Sequence, residues 1–199
     1  MKRRRSRPTQ KERILKVGLE LYLREGIDGL SMRRIARKLG VVVSSLYKHY
    51  ANKEALVWAM IAEGYDRFAE YLTQALDAPT PAEQLQRLTA QYLAFALEHP
   101  KYYEVIFLNP HHYFQSDNIP DAAREKSRAA FSILERIVKT CMDARLLKSG
   151  DAQAIAYTLW THAHGAVALR LTGVAPQDET TFSAFYFYSF QNLLNGLKR

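Results

Sequence analysis

The chain has 199 residues, 48% of them hydrophobic, and a formal net charge of +8, enough apolar material for a packed core and too little net charge for a disordered chain. Its one cysteine, Cys141, excludes an internal disulfide framework and suits a reducing compartment. The basic start MKRRRSRPTQ leads into no apolar stretch, and no run of about 18 apolar residues occurs anywhere, so a cytoplasmic protein without a membrane segment is expected.

The charge is uneven. Residues 1–53 carry 15 Lys and Arg against 4 Asp and Glu, a balance of +11, whereas residues 54–199 carry 13 against 16, a balance of −3. A basic head on a mildly acidic body points to a polyanion-binding segment and a second part with another task. The expected division is 1–53 and 54–199, with residues 1–8 as a basic arm.

In chain order, ERILKVGLELYLREG puts Ile14, Val17, Leu21 and Tyr22 on one helical face, with Gly26 as the residue after the helix. Ser31 is placed to cap a short second helix, MRRIARKLG, with Ile35, Ala36 and Leu39 on its apolar face and Gly40 as its stop. A third helix must begin within three residues, because Leu46, Tyr47 and Tyr50 again have helical spacing. Two short helices around a glycine turn are helix-turn-helix grammar. Ile35, Leu39, Val41 and Leu46 are expected to form its small core. Ser44, Ser45, Tyr47, Lys48 and His49 then project from the third helix as groove-reading and phosphate-contacting side chains. Val43 suits a thymine methyl group, while Val42 fits packing and contact equally well.

The rest also reads as helix. Asn52 caps a long helix that carries Leu56, Met60, Ile61, Gly64, Phe68 and Leu72 toward about Asp77. Thr80, Pro81 and Glu83 form a capping box ahead of Leu85, Leu88, Tyr92 and Phe95, and His99-Pro100 marks another start. The stretch NPHHYFQSDNIP reads as a loop whose His111-His112 pair is more naturally solvated than metal-binding. A helix from about Asp121 to Lys148 bears Phe131, Leu134, Val138, Cys141 and Met142, and a final pair follows near 151–173 and 178–198. The last helix has two apolar stripes, one of Phe182, Phe185, Tyr186 and Leu193, the other of Phe187, Phe190 and Leu194. One core cannot cover both, so a homodimer interface using Phe182, Phe185, Tyr186, Phe190, Leu193 and Leu194 is expected.

The run of Gly26, Ser31, Ile35, Ala36, Gly40, Val41, Leu46, Tyr47, His49 or Tyr50, and Lys53 to Leu56 resembles the N-terminal pattern of the tetracycline-repressor (TetR) family of bacterial transcription regulators. The resemblance implies an all-α fold of about nine helices, with a three-helix DNA-binding head and a helical effector-binding and dimerisation body. It implies that Ser31, Arg33, Tyr47, His49 and Lys53 contact phosphates of double-stranded DNA, and that Val43, Ser44, Ser45 and Lys48 face bases or nearby backbone. The family often has Ser, then Lys or Pro, then Gly where this chain has Val42, Val43 and Ser44. Trp160, His164 and Gly165 are similar to a Trp/His-Gly signature of one C-terminal subclass, although a histidine or tryptophan there is more often packed than ligand-binding. Two residues apart, His162 and His164 face different ways on a helix and make a poor metal pair.

Tyr65, Phe68, Tyr92, Phe95, Tyr103, Phe107, Phe131 and Trp160 recur on inner helix stripes. Many large aromatics are hard to close-pack, so a cavity for a mostly hydrophobic small-molecule effector is expected, with Tyr hydroxyls or His164 orienting one polar group. No P-loop, G-x-G-x-x-G, HExxH, CxxC or G-x-S-x-G motif is present, so neither an enzyme nor a cofactor is expected. The reading is therefore a homodimeric repressor released from a palindromic operator by a ligand. Its alternative is a DNA-binding protein without a small-molecule effector, which a filled core would favour.

Overall fold

The computed structural model describes residues 8–108 and 119–198, so the basic arm to Arg7 and the His111-His112 pair lie outside the described residues. These fold into helices throughout. Their only β feature is an isolated antiparallel bridge between Leu147 and Lys198. The chain forms two compact units that divide within one helix, at Glu63/Gly64.

In the first unit, α1 (Gln10–Gly29) opens with a reciprocal capping box of Thr9 and Glu12. Gly26 breaks its regular path at φ 66°, where the sequence pattern placed the helix end, and one more helical turn follows. Ser31 stands at the N-cap position of α2 (Met32–Leu39) without a side-chain capping bond. Gly40 adopts the left-handed conformation (φ 67°, ψ 35°). That region is costly for residues with a Cβ. The turn closes with Gly40 N–H donating to Arg37 O (3.2 Å) and Val41 N–H to Ala36 O (3.0 Å). Only five residues of helix follow in α3 (Val43–Tyr47).

The centre of this unit is made by Ile14, Leu21, Ile35, Leu46 and Leu56, all fully buried. Leu39 and Val41, expected there, are half-buried. Residues of α1 and of α4 (Lys53–Thr73) take their place. A Cβ on Gly18 would meet Leu56 at 3.1 Å, so the glycine sets the close approach of α1 and α4. Asn52 begins α4 as expected, its Oδ1 accepting Ala55 N–H at 2.7 Å.

In the second unit a single tight turn, Gln74–Asp77, ends α4. Then α5 (Pro81–Glu98) starts on the Thr80–Glu83 capping box. α6 (Pro100–Tyr103) passes directly into a wide π-type turn, Glu104–Leu108. A Cβ on Gly64 of α4 would come within 2.5 Å of Ile106 in that turn, so this pairing depends on the missing side chain.

α7 (Asp121–Asp143) is shorter than its periodicity predicts. Arg145 takes a left-handed φ of 59°, and Leu146 N–H turns back to Cys141 O at 2.9 Å. The reversal buries Leu147 beside the chain end, where Lys148 N–H donates to Leu197 O. Leu146 keeps an i, i+4 spacing from Met142, which is why the pattern carries the helix too far. α8 (Ala152–Leu171) begins on the Asp151 carboxylate and α9 (Glu179–Leu197) on Asp178.

Candidate functional site

The head presents a cationic surface around the helix-turn-helix. Arg33, Ser44, Tyr47, Lys48 and His49 are exposed, and Ser31, Val43 and Lys53 are half-buried. Tyr47 is 51% and Val42 70% exposed, so both side chains are accessible beside the exposed cations. Ser45 is half-buried. Its hydroxyl donates to Val42 O (2.8 Å) and accepts from Gln10 Nε2 (3.3 Å), so it fastens the start of α3 to α1. Arg37 and Lys38 on α2 are also exposed, cations that the motif match passed over although the charge count included them.

Not every cation of the head is available. Arg34 reaches back to the Glu25 carboxylate and donates to Gly29 O at 2.9 Å, and Arg24 also bonds Glu25. The two guanidiniums hold the Glu25 carboxyl down at about 2. Tyr50 turns inward under Lys11, with its hydroxyl 3.4 Å from Lys11 O, and burial pushes it up to about 12. Of the adjacent pair, His49 is therefore the outward residue and Tyr50 a core residue.

The second unit contains a cavity of about 670 Å³. Its inner wall comes from Tyr65, Phe68 and Leu72 of α4, Leu88, Thr89 and Tyr92 of α5, Ile106 and Phe107 of the π-type turn, Trp160, Ala163 and His164 of α8, and Tyr186 and Phe190 of α9. The entrance side carries Arg128, Ser132 and Glu135 of α7 with Gln153 and Tyr157 of α8, all exposed or half-buried. Residues 128, 131, 132 and 135 are spaced to share one helix face. Phe131 and Tyr157 lie against each other with centroids 4.6 Å apart.

Of the nine ligand candidates, Tyr65, Phe68, Tyr92, Phe107, Phe131, Trp160 and His164 line this space, and Phe95 and Tyr103 do not. Phe95 is fully buried between Phe68, Tyr71, His99 and Tyr103. Tyr103 sits one layer behind the wall and supports it, its hydroxyl 2.7 Å from His164 Nδ1 and 3.0 Å from the Tyr92 hydroxyl. Helix periodicity shows which face is inward but not which inward residue borders a void. The polar entrance was missed for a related reason, since Arg128, Glu135 and Gln153 lie beside the apolar stripes rather than on them.

The wall is electrically quiet. Burial pushes the Tyr92 and Tyr103 hydroxyls above their ordinary range and His164 below its own, so all three are neutral at neutral pH. Of the lining residues only Arg128 and Glu135 carry a formal charge. No group of three or more His, Cys, Asp or Glu side chains able to hold a metal occurs among the described residues.

The stripes of α9 are sorted differently from the expectation. Phe182, Tyr186 and Phe190 are buried within their own unit, Tyr186 donating to Thr89 O at 3.3 Å. They are thus core residues and not interface candidates. Phe185 and Phe187 remain 45% and 41% exposed, and Leu193 and Leu194 half-buried. α8 lies alongside, with His162 Nε2 3.1 Å from Ser189 Oγ and Arg170 over the Phe182 ring. It contributes an exposed Leu169. No described helix is long and apolar enough to cross a membrane.

Comparison with known proteins agrees with this architecture. Residues 14–60 match the family model described as bacterial regulatory proteins, tetR family, and residues 85–186 the one described as tetracyclin repressor-like, C-terminal domain. An HTH-type transcriptional regulator of Staphylococcus aureus is 28% identical over 97 residues, which are 48% of this chain and 52% of that protein. The chain spans about half the length of the curated relatives it matches. A structure of a protein with unknown function from Rhodococcus sp. RHA1 superposes with a TM-score of 0.83 at 23% identity, covering 100% of both chains. The fatty acid degradation regulator FadR from Bacillus halodurans does so with a TM-score of 0.78 at 16% identity, covering 95% of this chain and 100% of that one. At such identities the structural likeness concerns the fold, while the two family models together account for the head and most of the body. The chain belongs to the TetR family of bacterial transcriptional regulators.

Proposed function

We propose that the protein is a homodimeric repressor that binds a palindromic operator and is released from it by a small, largely hydrophobic ligand. The observation that carries the ligand half of this reading is the aromatic cavity of about 670 Å³, a size and lining suited to a small organic molecule. A filled core would have favoured a regulator without an effector. For release, the ligand must prefer a conformation that fits the operator poorly, because equal affinity for both conformations shifts nothing. α4 is the natural element to carry that preference, since one continuous helix supplies Leu56 to the head core and Tyr65, Phe68 and Leu72 to the cavity wall.

The decisive experiment has two stages. Selection of bound sequences from random DNA should return a palindrome. A library of apolar and aromatic compounds should then contain members that both bind the protein and lower its affinity for that operator. Compounds that bind without changing operator affinity would remove the switch and leave the cavity as a binding site.

For the head, Ser31, Arg33, Tyr47, His49 and Lys53 are proposed to hold the DNA phosphates, with Val43, Ser44, Ser45 and Lys48 facing the bases or the nearby backbone. Log affinity should fall with log salt by about 0.9 for each phosphate neutralised. Lys53→Ala should reduce this slope by about one contact and weaken all sequences alike. Ser44→Ala, by contrast, should alter which operator variants are preferred. A salt-independent affinity would contradict the assignment of this surface.

A further inference from the structure

His164 lies nearly parallel to two rings, Tyr103 with centroids 5.7 Å apart and planes 23° apart, and Trp160 with 5.4 Å and 28°. Its Nδ1 lies 2.7 Å from the Tyr103 hydroxyl and 3.4 Å from that of Tyr92, and the two hydroxyls are 3.0 Å from each other. The protons of this buried cluster can be arranged in two ways for a neutral ring.

If Nδ1 carries the ring proton and gives it to Tyr103, the two phenolic protons compete for what remains. Tyr103 must then use Tyr92 or the long 3.5 Å contact to His164 O, and Tyr92 has no acceptor left inside the cluster. If Nδ1 is instead the acceptor, Tyr92 donates to Tyr103 and Tyr103 donates to Nδ1. Each phenolic proton is then matched. Each arrangement leaves one donor without a partner in the cluster, the Tyr92 hydroxyl in the first and Nε2–H in the second. Tyr92 is buried and His164 half-buried, and an unmet donor costs least where it can be reached, which places the ring proton on Nε2 of a side chain that lines the cavity.

We propose that His164 offers Nε2–H to the cavity as a hydrogen-bond donor, and that the cavity takes an uncharged, flat aromatic carbonyl compound whose oxygen accepts it. The flat body is matched by the faces and edges of Phe68, Phe107 and Trp160. Lack of charge follows from an inner wall with no formally charged group, Arg128 and Glu135 both lying on the α7 side. A carbonyl oxygen has lone pairs and no proton of its own, so it accepts Nε2–H without needing a further acceptor. This rests on the cavity being the effector site, and it adds the polarity of the contact and the class of the molecule.

The test uses the full chain and the probe pair 9-fluorenone and fluorene, flat tricyclic molecules that differ by one carbonyl oxygen. Calorimetric titration should show fluorenone binding about tenfold or more tightly than fluorene, because the hydrocarbon leaves the donor unmet. In His164→Phe the preference should shrink to about twofold or less. Nitrogen-15 spectra of the labelled, ligand-free protein, with the His164 signals assigned by their loss in His164→Phe, should show a protonated Nε2 and an unprotonated Nδ1 at neutral pH. Tyr103→Phe should weaken that tautomeric preference.

Equal affinity for the two probes, failure of both to bind, a preference that survives in His164→Phe, or a protonated Nδ1 would each overturn the proposal. Operator release is read separately. Indiscriminate binding that still releases DNA would sink the carbonyl reading and leave the effector reading intact, whereas a carbonyl preference without release would do the opposite.

Discussion

Phe185→Glu is expected to convert the proposed dimer into monomers and to lower operator affinity by about a hundredfold or more. Phe185 is 45% exposed on α9, a large apolar ring that its own unit leaves uncovered, and Leu169 on the neighbouring α8 is 47% exposed. A two-fold interface brings each such residue against the partner's equivalent surface, so one substitution places two carboxylates in the buried patch. Removing a charge from water without a counter-charge is strongly unfavourable. The loss on DNA then follows from geometry. Two joined heads engage two half-sites about 34 Å apart, and separating them removes the high effective concentration of the second head, a gain on the order of a hundredfold or more. Light scattering at micromolar concentration together with operator titration checks both parts. A Phe185→Glu protein that remains dimeric would place the interface elsewhere on the surface. The same substitution at Phe182 or Tyr186 is expected to unfold the second unit instead, because those rings are fully buried within it.

Phe95→Ala is expected to cost about 3–5 kcal/mol of unfolding free energy, the range for removing a buried aromatic ring that its surroundings cannot replace. Phe95 is fully buried, with ring centroids of Phe68, Tyr71, His99 and Tyr103 at 5.1, 5.7, 5.8 and 6.5 Å. Its loss opens a void inside a packed cluster. Phe131→Ala offers the contrast. That ring is half-buried on the cavity wall, so its removal widens a space that already exists and strips fewer contacts, at a cost of about 1 kcal/mol. Equilibrium urea unfolding of the two variants measures the difference. Similar costs would mean that Phe131 is packed as tightly as Phe95 and that the cavity does not extend to it.

Local chemistry made much of this protein legible in one dimension. The capping box at Thr80–Glu83 and the Asn52 cap use atoms within three residues of each other. The Gly40 turn uses a backbone conformation intrinsic to glycine. For the same reason the short helices around that turn and the outward Tyr47, Lys48 and His49 were readable from spacing, and the basic balance of the head from composition. Such features depend on neighbours along the chain, which the sequence lists in order.

What only the tertiary structure decided depends on neighbours across the chain. α7 stops at Asp143 because Leu147 finds burial beside the end of α9. Ser45 bonds Gln10, a residue of a different helix whose approach the spacing within α3 does not state. Phe182, Tyr186 and Phe190 fall to the core while Phe185 stays uncovered, and Phe95 packs while Phe107 borders empty space. In each pair the residues are chemically alike and sit on similar faces of their helices. A helical repeat states which side of a helix is apolar, but whether a given ring meets another ring, a void or solvent is set by the distance to a second helix whose position is not a property of the first.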